Sequence, residues 1–243
     1  MKNFMNSIYT DLKFEDLGEG KICVSTEHRF GTDASLLADF AKPRRKDKVC
    51  DLCTGNGIVA VLLRREFKPQ KIYAVELQEK AYHQLCLSKE ASNADEIIPV
   101  WADLKGWTPD EKLDVITCNP PYKTNNTGIK NESEAVTIAR HETECSIYDV
   151  CACAKRALNF GGRLCVCQRP ERLADIFEAM RQNGIEPKRL RTVQKDKNSD
   201  PWLVLVEGRM GGSKFMKIEA PLYIKGENGE EYSQEMKRIY KLG

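Results

Sequence analysis

The chain has no uninterrupted apolar run approaching the roughly 18 residues that a membrane-spanning helix needs. Its first segment, Met1 to Asp16, carries charges throughout and has no apolar stretch of the kind a secretory signal contains. Both absences lead to the expectation of a cytoplasmic protein with no membrane partner. An excess of one charge is missing too: 38 basic against 36 acidic residues leave a net charge of +2, which neither demands nor excludes a nucleic-acid partner. Repeats, low-complexity stretches and composition breaks are also lacking. With 41% hydrophobic and 30% charged residues over 243 positions, the expectation is a single globular domain spanning 1–243, and a monomer.

Cysteine is abundant, at ten residues, yet the paired pattern that marks a zinc site is absent. Cys50-Asp51-Leu52-Cys53 is half of such a site, and Cys151, Cys153, Cys165 and Cys167 form two C-x-C pairs. Cys165 and Cys167 alternate with Leu164 and Val166 in a strand-like run, where a thiol behaves as a small apolar group. No metal is expected, and without a signal segment the thiols read as reduced.

From Lys48 onward the hydrophobic period switches between that of a strand and that of a helix. Strands are expected at Val49–Cys53, Lys71–Glu76, Ile97–Trp101, Leu113–Cys118 and Arg163–Gln168. Helices are expected at Gly57–Phe67, Gln78–Ser92 and Val150–Asn159, the last opened by a Ser146/Asp149 capping box and ended by Gly161-Gly162. Another helix can begin at Pro170 and stop at Gly184. Lys188–Val193, Trp202–Val206 and Met216–Ile224 read as strands with no helix between them. The expected fold is α/β and Rossmann-like: a mostly parallel seven-stranded sheet with an antiparallel end and helices on both faces.

Asp51-Leu52-Cys53-Thr54-Gly55-Asn56-Gly57 joins the first strand to the first helix through a turn with two glycines, where a ligand can approach the main chain and a helix terminus offers N–H groups. Glu76, nineteen positions after Gly57, ends the next strand with a carboxylate suited to a ribose. Gly55-x-Gly57-x-x-Ala60 also fits the loose dinucleotide fingerprint. Asp51, however, would set a negative charge close to a pyrophosphate, whereas it suits an ammonium and a sulfonium, and so favours S-adenosylmethionine over NAD. Asp103, just past the third strand, is placed to accept an adenine amino group or to cap a turn. Cys53 carries a Cβ where a glycine would be freer, so an ordinary φ is expected there.

Asn119-Pro120-Pro121-Tyr122 follows the fourth strand directly. Two prolines cannot donate to a ladder, so the strand must stop and deliver an amide and a ring at its carboxyl end. An exocyclic amine donating to the Asn119 side-chain oxygen and the Pro120 carbonyl would be held pyramidal and aimed at a methyl donor, with Tyr122 stacked on the base. Residues 123–145 are polar and aperiodic, and are expected to form a substrate loop. Within it His141 reads as ordering the loop or touching phosphate, not as a general base. Basic clusters at Lys42-Pro43-Arg44-Arg45-Lys46 and Lys188-Arg189-Leu190-Arg191, with Lys195 and Lys197, are candidates for phosphate contact; Lys237, Arg238 and Lys241 form a further group.

Taken together these residues resemble the class I methyltransferases, and among them the bacterial tRNA(Val) adenine-N6 methyltransferases, which modify the adenine at position 37 beside the anticodon. Arg29-Phe30-Gly31-Thr32-Asp33-Ala34 through Ala38 is similar to the family segment that closes over the methionine end of the cofactor, within an amino-terminal covering stretch of residues 1–46. Arg140-His141-Glu142, Leu222-Tyr223-Ile224 and Glu231-Tyr232-Ser233 also look like family features. The resemblance implies S-adenosylmethionine contacts at Thr32, Asp51, Gly55, Glu76 and Asp103, with Gly57 and Asn119 adjoining, target-base contacts at Asn119, Pro120 and Tyr122, and tRNA as partner. Release-factor glutamine methyltransferases carry the same four residues but add a helical domain in front; ribosomal RNA or DNA adenine is a further substrate of the same chemistry.

Overall fold

Strand and helix alternate along the chain in the computed structural model, which describes residues 11–26, 30–120, 145–226 and 229–242. A hairpin of β1 (Lys13–Asp16) and β2 (Lys21–Val24) is followed by α1 (Thr32–Ala41), β3 (Lys48–Leu52), α2 (Ile58–Phe67) and β4 (Lys71–Glu76). Next come α3 (Glu79–Ala91), β5 (Ile97–Trp101), β6 (Leu113–Cys118), α4 (Ile147–Ala157) and β7 (Leu158–Gln168). A 3-10 turn at Pro170–Arg172 leads into α5 (Leu173–Gln182), then β8 (Ile185–Gln194), β9 (Pro201–Met210), the two-residue β10 (Lys217–Ile218) and β11 (Leu222–Tyr223), and α6 (Gln234–Tyr240). Pro121, Tyr122, Arg29 and the loop with Arg140, His141 and Glu142 lie outside the described residues.

The strands lie in the order β10, β8, β9, β7, β6, β3, β4, β5, with β11 also on β8. β5, β4, β3, β6 and β7 run parallel, and β9 is antiparallel to both β7 and β8. Seven long strands thus match the expected sheet, with two short pieces added. The stretch expected as one strand over Met216–Ile224 is instead β10 and β11, both parallel to β8. Pro221 between them has no N–H to give a ladder, which divides the strand.

The expected end of α4 at Gly161-Gly162 also moves. The helix stops at Ala157 and β7 begins at once, with Leu113 pairing Leu158 but Val115 pairing Arg163. The extra residues bulge, and a Cβ on Gly162 would come within 2.9 Å of the Asn159 carbonyl oxygen, so the glycines serve the bulge. The Ser146/Asp149 capping box that opens α4 is present.

Alternation along the buried strands sends side chains to two cores. Val49, Ile72, Ala74, Val115, Cys165 and Cys167 face α1, α2, α3 and α6, while Cys50, Tyr73, Val75, Ile116, Leu164 and Val166 face α4 and α5. Cys151 and Cys153 are buried in the second core, and all ten cysteines are free thiols. β3 sits between β4 and β6, where the chain's crossovers turn to opposite sides and leave a crevice at the carboxyl ends.

The turn from β3 to α2 departs from expectation at Cys53, which has φ +54°. The hydrogen bonds of the turn impose this: Thr54 N–H to the Val75 carbonyl at 3.1 Å and Gly57 N–H to the Thr54 carbonyl at 3.0 Å. They hold a Cβ-bearing residue in a region that costs about 1–2 kcal/mol. Gly57 has φ +89°, and a Cβ there would meet Leu85 Cδ1 at 2.5 Å. Gly57→Ala is therefore expected to lower unfolding free energy by about 2–3 kcal/mol, the left-handed cost plus displacement of Leu85, measured by urea denaturation; a loss below about 0.5 kcal/mol would contradict the crowding.

Candidate active site

The centre of the crevice is a buried carboxylate. Asp51 on β3 lies level with Thr117 on β6, and is 1% exposed. Its two oxygens accept from Thr117 Oγ1 at 2.7 Å and Thr54 Oγ1 at 2.6 Å. Burial pushes the Asp51 carboxyl up to about 7; the two hydroxyls pull it down, and neighbouring Glu76 adds to the rise. Neither threonine was singled out in the sequence, although Thr117 is, with Asp114, one of two polar residues in the strand Leu113–Cys118.

Glu76 ends β4 beside this turn and is 7% exposed. One oxygen accepts from Gly55 N–H at 2.8 Å and the other from Gln78 N–H at 2.8 Å. Its carboxylate thereby fixes the glycine turn. Gly55 has φ +59°, and the place a Cβ would occupy is open to 4 Å. Asn56, 3% exposed, donates from Nδ2 to the Cys23 carbonyl at 3.0 Å and ties the turn to β2.

Asp103, by contrast, is exposed and its Oδ1 accepts from Lys105 N–H at 2.8 Å, the turn-capping geometry. Thr32 begins α1, and its hydroxyl accepts from Tyr240 O–H at 2.7 Å.

Asn119 follows β6, with Pro120 buried behind it. Its Nδ2 donates to Asp33 Oδ2 at 2.9 Å, and its Oδ1 receives the Cys167 thiol at 3.1 Å. The first turn of α1, the end of β6 and the end of β7 meet here. The sequence gives Cys167 only the part of a buried strand thiol, and Asp33 lies inside the Arg29–Ala38 segment with nothing local to link it to Asn119. Cys53 approaches Cys145, with Sγ atoms 3.4 Å apart. Hydrogen bonding and burial hold both thiols well above the ordinary range. Among the described residues no group of three or more His, Cys, Asp or Glu is set to hold a metal.

The basic clusters do not gather at this crevice. Arg44, Arg45 and Lys46 precede β3 at the opposite, amino edge of the sheet. Lys188 Nζ is spent on the Ser213 and Lys214 carbonyls at 3.0 Å; Arg189 binds Glu207 and Glu219, and Arg191 binds both oxygens of Glu235 at 2.7 Å. Lys237, Arg238 and Lys241 are likewise paired, with Glu230, Asp39 and Glu66. Among the described residues, the exposed cations at the carboxyl edge include Arg169 after β7, Lys195 and Lys197 in the β8–β9 turn, and Lys225, whose N–H donates to the Lys195 carbonyl at 2.9 Å.

A tRNA1(Val) (adenine(37)-N6)-methyltransferase of Glaesserella parasuis is 32% identical over 105 residues, 43% of this chain and 45% of that protein. One of the same name from Pseudoalteromonas translucida is 26% identical over 157 residues, covering 65% and 67%. The aligned stretch thus spans less than half of the first relative. The crystal structure of a predicted O-methyltransferase from Agrobacterium tumefaciens superposes with a TM-score of 0.71 at 19% identity, over 86% of this chain and 96% of that one, a likeness of fold. Residues 23–183 match the methyltransferase small domain, and the chain belongs to that family.

Proposed function

We propose that this protein transfers a methyl group from S-adenosylmethionine to the exocyclic N6 of an adenine in tRNA, at position 37 of tRNA(Val). The observation that carries the reading is Asn119: a carboxamide held at the carboxyl end of β6, with its oxygen turned away from Asp33, beside the buried Asp51 and the Glu76-braced glycine turn. The names of the relatives support the choice of adenine and of tRNA.

The site suits the cofactor on its own terms. Asp51 is a buried carboxylate whose hydrogen-bonding partners are hydroxyls, and its burial raises its pKa to about 7. A sulfonium and an ammonium would lower it, and a pyrophosphate would raise it further. Glu76 would take the ribose hydroxyls, Gly55 and Gly57 the close approach, Thr32 the methionine end, and Asp103 the adenine amine. When bound, the cofactor supplies an electrophilic methyl on a positively charged sulfur. The protein's part is positional: Asn119 Oδ1 and the Pro120 carbonyl accept from the target amine and favour a pyramidal nitrogen, and Tyr122 stacks on the base, worth about 1–3 kcal/mol against the cost of extruding it. The cytoplasm, where tRNA is modified, is the compartment this activity requires.

Calorimetry is expected to give binding of S-adenosylmethionine and none of NAD; NAD alone binding would sink the reading. Asp51 must be charged to attract the cation, so affinity should weaken as pH falls through about 7, and Asp51→Asn should flatten that dependence. The sign for stability is opposite: a carboxyl raised above its unfolded value of 3.8 favours the folded state at low pH and loses that contribution as pH rises through about 7. Labelled methyl transfer to total tRNA should yield N6-methyladenosine and vanish in Asn119→Ala; label confined to release-factor glutamine or to ribosomal RNA would reassign the substrate. For RNA contact, Lys195→Ala/Lys197→Ala/Lys225→Ala should reduce the slope of log affinity against log salt by about 2, while Arg44→Ala/Arg45→Ala/Lys46→Ala leaves it unchanged. The reverse pattern would put the RNA on the amino edge.

A further inference from the structure

We infer that Asp33 is a positioning residue for methyl transfer: its carboxylate selects which end of the Asn119 carboxamide meets the target amine. This deepens the function proposed above and rests on it for the identity of the amine. Asn119 is useful only if Oδ1 faces the substrate, because an amine presents N–H donors and Nδ2 would set donor against donor. A carboxamide can flip by half a turn about its last side-chain bond, exchanging oxygen for nitrogen with almost no change of shape. Something must choose between the two.

Asp33 makes the choice. An ionised carboxylate accepts and never donates, so Asp33 Oδ2, 2.9 Å away, can be satisfied only by Nδ2. The flipped amide would bring oxygen against oxygen at the same distance. Cys167 acts in the same sense from the other side, its thiol 3.1 Å from Oδ1; a thiol is the weaker selector because sulfur both donates and accepts poorly.

Asp33 is itself held in the rotamer this requires. Its Oδ1 accepts from Ala34 N–H at 3.0 Å, and a Cβ on the preceding Gly31 would come within 2.7 Å of that oxygen. The glycine therefore leaves the space that the carboxylate fills. Thr32, between them, is anchored through its hydroxyl to Tyr240 at 2.7 Å. Gly31-Thr32-Asp33 is thus a short support whose product is one fixed orientation of Asn119.

The test has one arm without substrate and one with it. In the protein alone, the Asn119 side-chain amide protons, observed by 15N NMR, should exchange about tenfold faster in Asp33→Ala than in wild type. In tRNA methylation, Asp33→Ala and Gly31→Ala should lower kcat on the order of a hundredfold, with the Kd of S-adenosylmethionine and the KM of tRNA within about twofold of wild type. The decisive variant is the exchanged pair. Asn119→Asp alone sets two carboxylates face to face, whereas Asn119→Asp/Asp33→Asn restores a donor between them and should recover at least about tenfold in kcat over Asn119→Asp. Thermal melting of each variant separates these effects from loss of α1. Equal amide exchange, an unchanged kcat, a fall in cofactor affinity matching the fall in kcat, or an exchanged pair no better than Asn119→Asp would overturn the assignment. Wild type that methylates no adenine yet keeps the protected amide would instead sink the proposed substrate and leave the role of Asp33 standing.

Discussion

A carboxylate buried in the middle of the sheet organises this site. Asp51 is level with Thr117 because β3 and β6 pair in parallel, and the two hydroxyls on its oxygens close the turn on one side and the neighbouring strand on the other. Each hydrogen bond to a charged group contributes about 1.5–3 kcal/mol. Taking a carboxylate out of water costs several kcal/mol, so two hydroxyls do not fully offset it, and the pKa rises. The buried carboxyl therefore takes up a proton more readily than a solvated one. Glu76, bridging Gly55 and Gln78, converts the same turn into a rigid rim.

The two edges of the sheet are used differently. At the amino edge charged side chains are spent on structure: Lys48, Lys71 and Tyr73 converge on Glu111, which they hold well below the usual carboxylate range. Across the antiparallel strands, Arg163 and Arg189 share Glu207, which is 4% exposed, and Arg189 stacks on Phe40 at 4.2 Å. At the carboxyl edge the cations of the β8–β9 turn are left to solvent. Strain sits at that edge as well, in the left-handed Cys53, where the hydrogen bonds of the turn outweigh the cost of its Cβ.

Much of this was legible in the sequence. Period and punctuation located β4, β5 and β6 to the residue; for β4 and β6 this is because a parallel strand buried on both faces is a short apolar run between polar turns. The Ser146 capping box was visible because its partners are three residues apart. The bulge at Gly161-Gly162 and the split at Pro221 were not, since a glycine pair that could end a helix can also relieve a strand, and only the neighbouring ladder decides. The basic clusters misled for a related reason: local composition counts charges but cannot see that Lys188, Arg189 and Arg191 find partners between 18 and 44 residues away.

By itself the sequence determined the order of elements, the position of the glycine turn, the carboxylates Asp51, Glu76 and Asp103, and an amide delivered behind a strand that two prolines terminate. Each follows from a local rule of backbone geometry or from side-chain chemistry at short range. Only the tertiary structure decided which groups act on one another: that Thr117 shares Asp51 with Thr54, that Asp103 caps a turn, and that Asp33, 86 residues before Asn119, sets the direction of its amide. Hydrogen bonds are made over about 3 Å, and it is the pairing of distant strands that brings donors and acceptors so far apart in the chain within that reach.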